Sequence, residues 1–219
     1  MKNGFKRILV MTLSVLMALA MLTGCGPKKP TASDAKDYVQ AVMDMLCTGT
    51  CDSSVNFADV EDEGALRDTL VNSAMEEIAG TVELSDVSKA KLSDFLYAAL
   101  GKCKYTVGEP VEVEGGFDVP VTIEPLIIYA SLENFDSILQ ERAMNDMNLI
   151  MNMSEEELMD YVVDVMVELL NDGIADPQYD APVELTMHYR LIDEENNIYG
   201  CSEEDGEAVG SALFSTQGL

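Results

Sequence analysis

The spacing of apolar residues changes at Tyr105, and this change limits the possible folds of the chain more than any other feature. Upstream, apolar side chains recur every three or four residues in segments that end at Gly49, Gly80 and Gly101, which predicts three amphipathic helices. From Tyr105 to Ile123 they alternate with polar side chains, the pattern of half-buried antiparallel strands. Helices that precede strands, rather than alternating with them, indicate an α+β fold.

Both patterns recur in the second half of the chain. Residues 131–170 return to helical spacing, and residues 183–201 return to strand alternation. Two serines are followed three residues later by an acidic residue, the spacing of capping boxes that begin helices: Ser154 with Glu157, and Ser202 with Asp205. We therefore expect a curved antiparallel sheet of about four strands packed on several helices. One domain would span residues 35–215, with a helical insertion at about residues 131–172.

The length of the turn at Gly115 and Gly116 determines the predicted pairing of the two hairpin strands. A two-residue turn would place Val113 opposite Asp118, and this would mix the core face of the hairpin with its solvent face. A three-residue turn places Val113 opposite Val119 instead. We therefore expect a bulged turn.

The N-terminal segment has the pattern of a secretory leader. Basic residues precede an apolar run from Ile8 to Leu22, which is shorter than the roughly 20 residues that a membrane span needs. The run closes with Leu22, Thr23, Gly24 and Cys25, which resemble the lipobox of bacterial lipoproteins. The resemblance implies cleavage after Gly24 and a diacylglycerol thioether on Cys25. The rival interpretation is a cleaved leader without lipid, which would leave a free N-terminal thiol.

This leader predicts where the protein resides. Residues 1–24 would be removed as a lipoprotein signal peptide, and residues 25–34, rich in glycine, proline and lysine, would form a flexible tether. Acyl chains stabilise membrane attachment by about 0.8 kcal/mol for each buried methylene. We expect the domain to be extracytoplasmic, held to the outer face of the cell membrane by lipidated Cys25.

The charge of the chain excludes one class of partner. The formal net charge is −27, and removal of the leader leaves ten basic and 40 acidic residues, a formal charge of −30. Binding to nucleic acid depends on clustered lysine and arginine, so we expect no nucleic-acid partner. The acidity governs solubility and attraction of counter-ions rather than the fold.

Four cysteines remain after Cys25. An exported chain with an even number of cysteines allows two disulfides, and four cysteines have three possible pairings. Cys47 and Cys51 flank a short loop, which would leave Cys103 to pair with Cys201. The alternative is four buried thiols that act as small apolar groups. The spacing contains no C-x-x-C pair, so it does not predict a zinc site.

Several segments resemble one family of proteins. The first helix contains Tyr38-Val39-x-Ala41, and Gly49 ends it; near the C-terminus the strand 197–200 precedes the acidic helix start at 202–205. These segments are similar to small lipobox-bearing lipoproteins of Gram-positive bacteria with a cystatin-like, nuclear-transport-factor-like domain. The resemblance implies a cystatin-like fold and carries no activity.

Candidate catalytic and metal-binding residues are few. His188 is the single histidine and the candidate general base, but its alternation places it on the solvent face of a strand, and no nucleophile motif accompanies it. The acidic runs lack the spacing of a calcium loop, and those at 155–157 and 203–205 fall in first turns of helices, where carboxylates face the positive end of the helix dipole. We expect no enzyme activity, no metal and no cofactor.

Methionine concentrates in the helical insertion, where it either fills the core or lines a surface that accepts varied apolar partners. Our candidate groove for a ligand or an envelope partner combines methionines of this segment with tyrosines: Tyr129, Met147, Tyr161, Met166 and Tyr189. The leading hypothesis is a non-catalytic, lipid-anchored binding module. The second is a structural accessory of the cell envelope without a small ligand, and the third is a hydrolase that uses His188.

Overall fold

The computed structural model describes residues 24–25, 29–51, 65–195 and 197–217. Its helices are α1 (Ala32–Thr48), α2 (Ala65–Thr81), α3 (Asp86–Leu100), α4 (Phe135–Asn145), α5 (Met147–Ile150), α6 (Glu155–Ala175) and α7 (Glu203–Leu213), with a 3-10 helix at Tyr129–Leu132. Its strands are β1 (Gly24–Cys25), β2 (Lys104–Val107), β3 (Val111–Val113), β4 (Gly116–Glu124), β5 (Leu126–Ile127), β6 (Gln178–Tyr179), β7 (Val183–Asp193) and β8 (Ile198–Gly200). The predicted α+β class is confirmed.

The main sheet has the strand order β1-β8-β7-β4-β2, with β3 also beside β4, and its neighbours are antiparallel. The longest ladder joins β4 to β7, from Gly116 opposite Arg190 to Ile123 opposite Val183. Alternate side chains of β4 are buried: Phe117, Val119, Val121 and Ile123. The curved antiparallel sheet packed on helices is therefore as predicted.

The hairpin between β3 and β4 differs from the predicted one. Val113 pairs with Gly116, so the turn has two residues, and the expected pairing of Val113 with Val119 is wrong. Gly115 has φ of 85°, which glycine adopts without strain in such turns. Val111 is consequently 58 % exposed instead of belonging to the core.

The physical reason lies in β2. Val107 is buried opposite Val121, so β2 completes the inward face of the sheet. The Gly108 amide donates to the Pro120 carbonyl at 2.8 Å. Between Gly108 and β3, the register of the chain against β4 shifts by one residue. A shift of one residue reverses the two faces of a strand, so β3 exposes the side chains that the alternation assigned to the core.

Helix α1 is the central helix, in contact with the sheet and with α2 and α3. A capping box between Thr31 and Asp34 begins it, so its first turn lies inside the predicted tether of residues 25–34, and Gly49 ends it. Buried side chains are distributed around its circumference: Ala35, Tyr38, Val39, Ala41, Val42, Met43, Met45, Leu46 and Cys47.

Helix α6 is covered along its second half only. Its buried residues begin at Val163 and continue to Ile174, where it packs on α3 and on the 3-10 helix. The Asp160 carboxylate accepts hydrogen bonds from Ser85 Oγ at 2.6 Å and Ser88 Oγ at 2.5 Å, which fixes α6 to the start of α3. The first turns of α6, before this joint, remain exposed.

Candidate functional site

Three exposed methionines lie near one another in sequence, at the junction of α4 and α5. Met144 is 59 % exposed, Met147 is 54 % exposed and Met151 is 78 % exposed. Asp146, with φ of −103° and ψ of 20°, ends α4, and the amides of Ile150 and Met151 donate to carbonyls four residues earlier. Met147 and Met151 are four residues apart and share a face of this turn, and Met144 lies in the last turn of α4, three residues before Met147.

A fourth exposed apolar side chain, Leu158, lies in the first turns of α6. Leu158 is 42 % exposed, and Tyr161, one turn along α6, donates from its hydroxyl to the Asp146 carboxylate at 3.3 Å. This contact places the start of α6 beside the junction of α4 and α5. We call Met144, Met147, Met151 and Leu158 the methionine surface. A contiguous exposed apolar surface commonly marks an interaction site.

The methionine surface has strongly acidic surroundings. Residues 131–172 contain eleven acidic residues and one basic residue, Arg142. The Arg142 guanidinium forms two hydrogen bonds of 2.7 Å with the Glu168 carboxylate, which lowers the pKa of Glu168. Arg142 is therefore already engaged, as is Lys91 of α3, which forms an ion pair with Asp164, and the surroundings keep a large excess of negative charge.

A shallow cleft of about 320 Å³ adjoins the start of α6. Its lining is mostly polar and acidic: Asn152, Met153, Glu157, Asp160, Tyr161 and Asp164. Glu157 belongs to the predicted capping box, and hydrogen bonds from the amide and hydroxyl of Ser154 lower its pKa. The hydrogen bonds from Ser85 and Ser88 likewise lower the pKa of Asp160. These carboxylates stay ionised at neutral pH and suit a cationic group.

The structure divides the predicted groove between the surface and the core. Met147 and Tyr161 lie at the methionine surface, whereas Met166 is 1 % exposed and packs inside α6's buried face. Tyr129 is 3 % exposed, and burial raises its pKa. Tyr189 is also buried. These five residues therefore do not line one groove. The helical period of a sequence identifies an apolar stripe but does not identify the neighbouring element that covers it.

The Tyr189 ring serves the interface between sheet and central helix. Its centroid lies 4.9 Å from that of Tyr38 on α1 and 5.7 Å from that of Tyr199 on β8. Burial raises the pKa of Tyr189 and of Tyr38. These three rings stabilise packing and provide no open binding position.

His188 forms a contact that the sequence analysis did not predict. Its Nδ1 lies 2.6 Å from Asp205 Oδ1, and the Asp205 side chain is 3 % exposed. The other oxygen of Asp205 accepts from the amide and the hydroxyl of Ser202, as its capping box requires. The signal available in the sequence was that capping box, but it gave no information on which strand lies beside the carboxylate.

This cluster lacks the order of groups that nucleophilic catalysis needs. A catalytic serine donates to the histidine that activates it, whereas Ser202 donates to the carboxylate. The nearby Cys201 is buried, and burial and the charge of Asp205 raise the pKa of its thiol, which disfavours the reactive thiolate. The geometry suits attachment of α7 to β7.

The four later cysteines are thiols in this structure. The sulfur of Cys103 lies 4.0 Å from the carbonyl of Leu213, at the end of α7, whereas Cys201 precedes the start of that helix. An eleven-residue helix is about 16 Å long, and a disulfide joins Cα atoms within about 7 Å. The expected pairing of Cys103 with Cys201 does not fit this geometry. The thiol of Cys103 lies beside Cys47 instead, which raises its pKa.

A second, more apolar cleft of about 480 Å³ lies between the start of β7 and the end of α7. Its lining includes Val183, Leu185 and Phe214. At its edge Ser215 donates to the Asp180 carboxylate at 2.7 Å, which lowers the pKa of Asp180.

The residues that the structure describes contain neither a grouped metal site nor a helix suited to span a membrane. Within the ranges that the structure describes, no three histidine, cysteine or acidic side chains are grouped to hold a metal ion. Over those ranges no helix has both the length and the apolar character of a membrane span. The acidic residues at 155–157 and 203–205 occupy first turns of α6 and α7, as predicted.

The predicted signal-peptide cleavage site lies mostly outside the described residues. Leu22 and Thr23 are not among them. The backbones of Gly24 and Cys25 form β1, with Gly24 opposite Tyr199 and Cys25 opposite Ile198. The prediction that Cys25 is lipidated is not tested by this geometry.

Comparison with known proteins identifies a similar fold and no family. No protein-family model matches the chain, and no curated protein matches it. The fold is similar to the crystal structure of a presumed lipoprotein (ycdA) from Bacillus subtilis, with a TM-score of 0.54 and 16 % sequence identity. The match covers 83 % of this chain and 56 % of that one, so this chain spans little more than half of its length. At this identity the likeness concerns the fold alone.

Proposed function

We propose that this chain is a lipid-anchored, extracytoplasmic and non-catalytic binding module, and that its methionine surface receives a basic amphipathic helix of a partner protein. The anchor rests on the leader and on the lipobox resemblance of residues 22–25. The structural similarity to a presumed lipoprotein from Bacillus subtilis supports the same class. The observation that carries the binding role is the exposure of Met144, Met147 and Met151 beside an unbalanced acidic segment.

The chemistry of the surface selects the kind of partner. Methionine is flexible and polarizable, so a methionine-lined face adapts to apolar side chains of different shapes. Surrounding carboxylates attract a partner of opposite charge and repel acidic ones, including a second copy of this chain. An amphipathic helix with lysine or arginine beside its apolar stripe satisfies both requirements.

A defined probe tests the binding role. The probe is a synthetic amphipathic helix of about 18 leucine and lysine residues, five helical turns, titrated into the mature chain by calorimetry. Replacing Met144, Met147 and Met151 together with serine should weaken binding about a hundredfold, because each methionine contributes roughly 1 kcal/mol of apolar burial. Binding of the unaltered chain should also weaken as salt is added.

The matched control replaces three exposed apolar residues elsewhere on the chain, with the variant Val111→Thr, Val183→Thr and Ile192→Thr. This variant should bind the probe as the unaltered chain does. Equal losses in the two triple variants would indicate nonspecific adsorption and overturn the proposal. A dimer in light scattering that the methionine variant abolishes would identify a second copy as the occupant instead.

The anchor has a separate test. The Cys25→Ser chain, expressed in a Gram-positive host fed labelled fatty acid, should carry no label and should leave the membrane fraction. Label or membrane retention in that variant would overturn the anchor. The binding role would stand, because the probe titration uses the mature chain without lipid.

A further inference from the structure

Two cysteines that are distant in sequence lie together at one end of the central helix. Cys47 is in the last turn of α1 and is 1 % exposed, and Cys103 follows α3 immediately before β2. Cys47 lies beside the Cys103 thiol and raises its pKa, and the sulfur of Cys103 lies 3.7 Å from the Ala99 carbonyl. Cys103 is the less buried residue of the pair.

Neighbouring contacts fix the segments that carry the two thiols. Tyr105, two residues after Cys103, donates from its hydroxyl to Asp44, which lies one helical turn before Cys47. The guanidinium of Arg67 donates to the Thr48 carbonyl at 3.3 Å and also to the Tyr97 carbonyl, so it bridges the ends of α1 and α3. The juxtaposition of the thiols is therefore built into the packing.

We propose that Cys47 and Cys103 are a disulfide-forming pair, oxidised by thiol–disulfide exchange with a small-molecule or protein disulfide outside the cytoplasm. The proposal uses the extracytoplasmic location of the proposed function only as the source of oxidant. The bond would join the central helix to the start of strand β2. It would close a loop of about 57 residues, and long loops gain the most from closure in the chain-entropy model.

The exchange begins at the more accessible sulfur. The Cys103 thiolate attacks one sulfur of the oxidant, forms a mixed disulfide and releases one thiolate of the reagent. The Cys47 thiolate then attacks the Cys103 sulfur, forms the intramolecular bond and releases the second thiolate. The two protons of the protein thiols end on the two reagent thiols, so the protein loses two electrons and the oxidant gains them.

The environment of Cys103 sets the pH dependence of this step. The hydrogen bond with Cys47 and burial raise the pKa of the Cys103 thiol, whereas the charge of Arg67 opposes this effect. Little thiolate is present at neutral pH, so exchange should accelerate as the pH rises toward 9.

The test incubates the reduced, mature full-length chain with oxidised glutathione, blocks remaining thiols and maps peptides without reduction. We expect one intramolecular peptide pair that contains Cys47 and Cys103. The melting temperature should rise by about 10 °C on oxidation and return on reduction. Cys51→Ser and Cys201→Ser variants should retain the cross-link, and Cys47→Ala and Cys103→Ala variants should lose it.

Other outcomes decide against the proposal. A dominant Cys47–Cys51 peptide, or stable glutathione adducts on Cys103 without resolution by Cys47, would overturn it. Circular dichroism of each alanine variant separates loss of the bond from loss of folding. If Cys47→Ala does not fold, the Cys103→Ala variant supplies the same comparison, because Cys103 is the less buried partner.

Discussion

At the residue scale, the buried Asp205 carboxylate holds together three separate groups. It accepts from the amide and hydroxyl of Ser202, and it lies 2.6 Å from His188 Nδ1. The imidazole is half exposed, whereas the carboxylate is nearly inaccessible. Truncation of the carboxylate should therefore destabilise the protein more than truncation of the imidazole.

We expect Asp205→Ala to lower the free energy of unfolding by about 2 kcal/mol, because it removes a helix cap, leaves the Ser202 amide and hydroxyl without their acceptor and vacates a buried position. His188→Ala should cost about 0.5 kcal/mol, since water can replace the exposed imidazole. Urea denaturation measures both values. Equal losses would contradict the assignment of Asp205 as the dominant group.

Tyr97 provides a residue-scale prediction in alkali. Burial, followed by the hydrogen bond of 2.7 Å to Asp68, raises the pKa of Tyr97 to about 12. Because the folded pKa exceeds that of the unfolded chain, the stabilisation is complete below pH 10 and disappears as the pH rises through about 12. Tyrosinate absorbance should show this late titration, and Tyr97→Phe should remove it.

The Asp68→Asn variant separates the two causes. It removes the negative charge beside the phenol and leaves the burial of the ring, so the pKa of Tyr97 should fall toward its ordinary value without reaching it. An unchanged titration would show that the hydrogen bond to Asp68 does not form in solution.

At the element scale, features that depend on residues close in sequence were predicted correctly, and features that depend on distant residues were not. The capping boxes at Ser154 and Ser202 were predicted correctly, because a cap involves residues within one turn. The register of β3 was predicted incorrectly. It depends on β2, which already supplies the inward-facing side chains beside β4. Periodicity likewise did not distinguish the buried Met166 from the exposed Met147.

Contacts between residues that are distant in sequence could not be predicted for the same reason. The Asp160 joint, the His188 contact and the Cys47–Cys103 pair each join residues from separate elements. Residue types alone do not determine which of many possible partners the packing selects. The acidic, methionine-rich character of the candidate surface was visible in the sequence, whereas its exposure was not.

Two helical glycines offer a matched test of packing between elements. A Cβ at Gly173 of α6 would lie 2.9 Å from Ser131 Cβ, whereas a Cβ at Gly80 of α2 would meet nothing within 4 Å. Gly80→Ala should stabilise the protein by about 0.5 kcal/mol through helix propensity. Gly173→Ala should destabilise it by about 1–2 kcal/mol, because α6 and the 3-10 helix must separate.

Thermal denaturation of the two glycine variants gives the comparison directly. Opposite signs are the expected result. Stabilisation by Gly173→Ala would mean that α6 lies farther from the 3-10 helix than this packing requires.

At the scale of the whole molecule, the excess of negative charge opposes compaction. With a formal charge of −30 after leader removal, repulsion between carboxylates should be partly screened by salt. We expect the melting temperature of the mature chain to rise by about 5 °C between low salt and 0.5 M NaCl, roughly where screening becomes short-ranged. KCl should act equally, and a falling melting temperature would contradict the expectation.

The position of α1 has a mechanical consequence for an anchored protein. Its capping residue, Thr31, is six positions after Cys25, and Lys29 forms an ion pair of 3.0 Å with Glu112 of β3. Under the proposed lipid anchor at Cys25, a force that pulls the domain away from the membrane would act on β1 and then on the central helix. The attachment would then resist force through the packing of α1 against the sheet in the protein core.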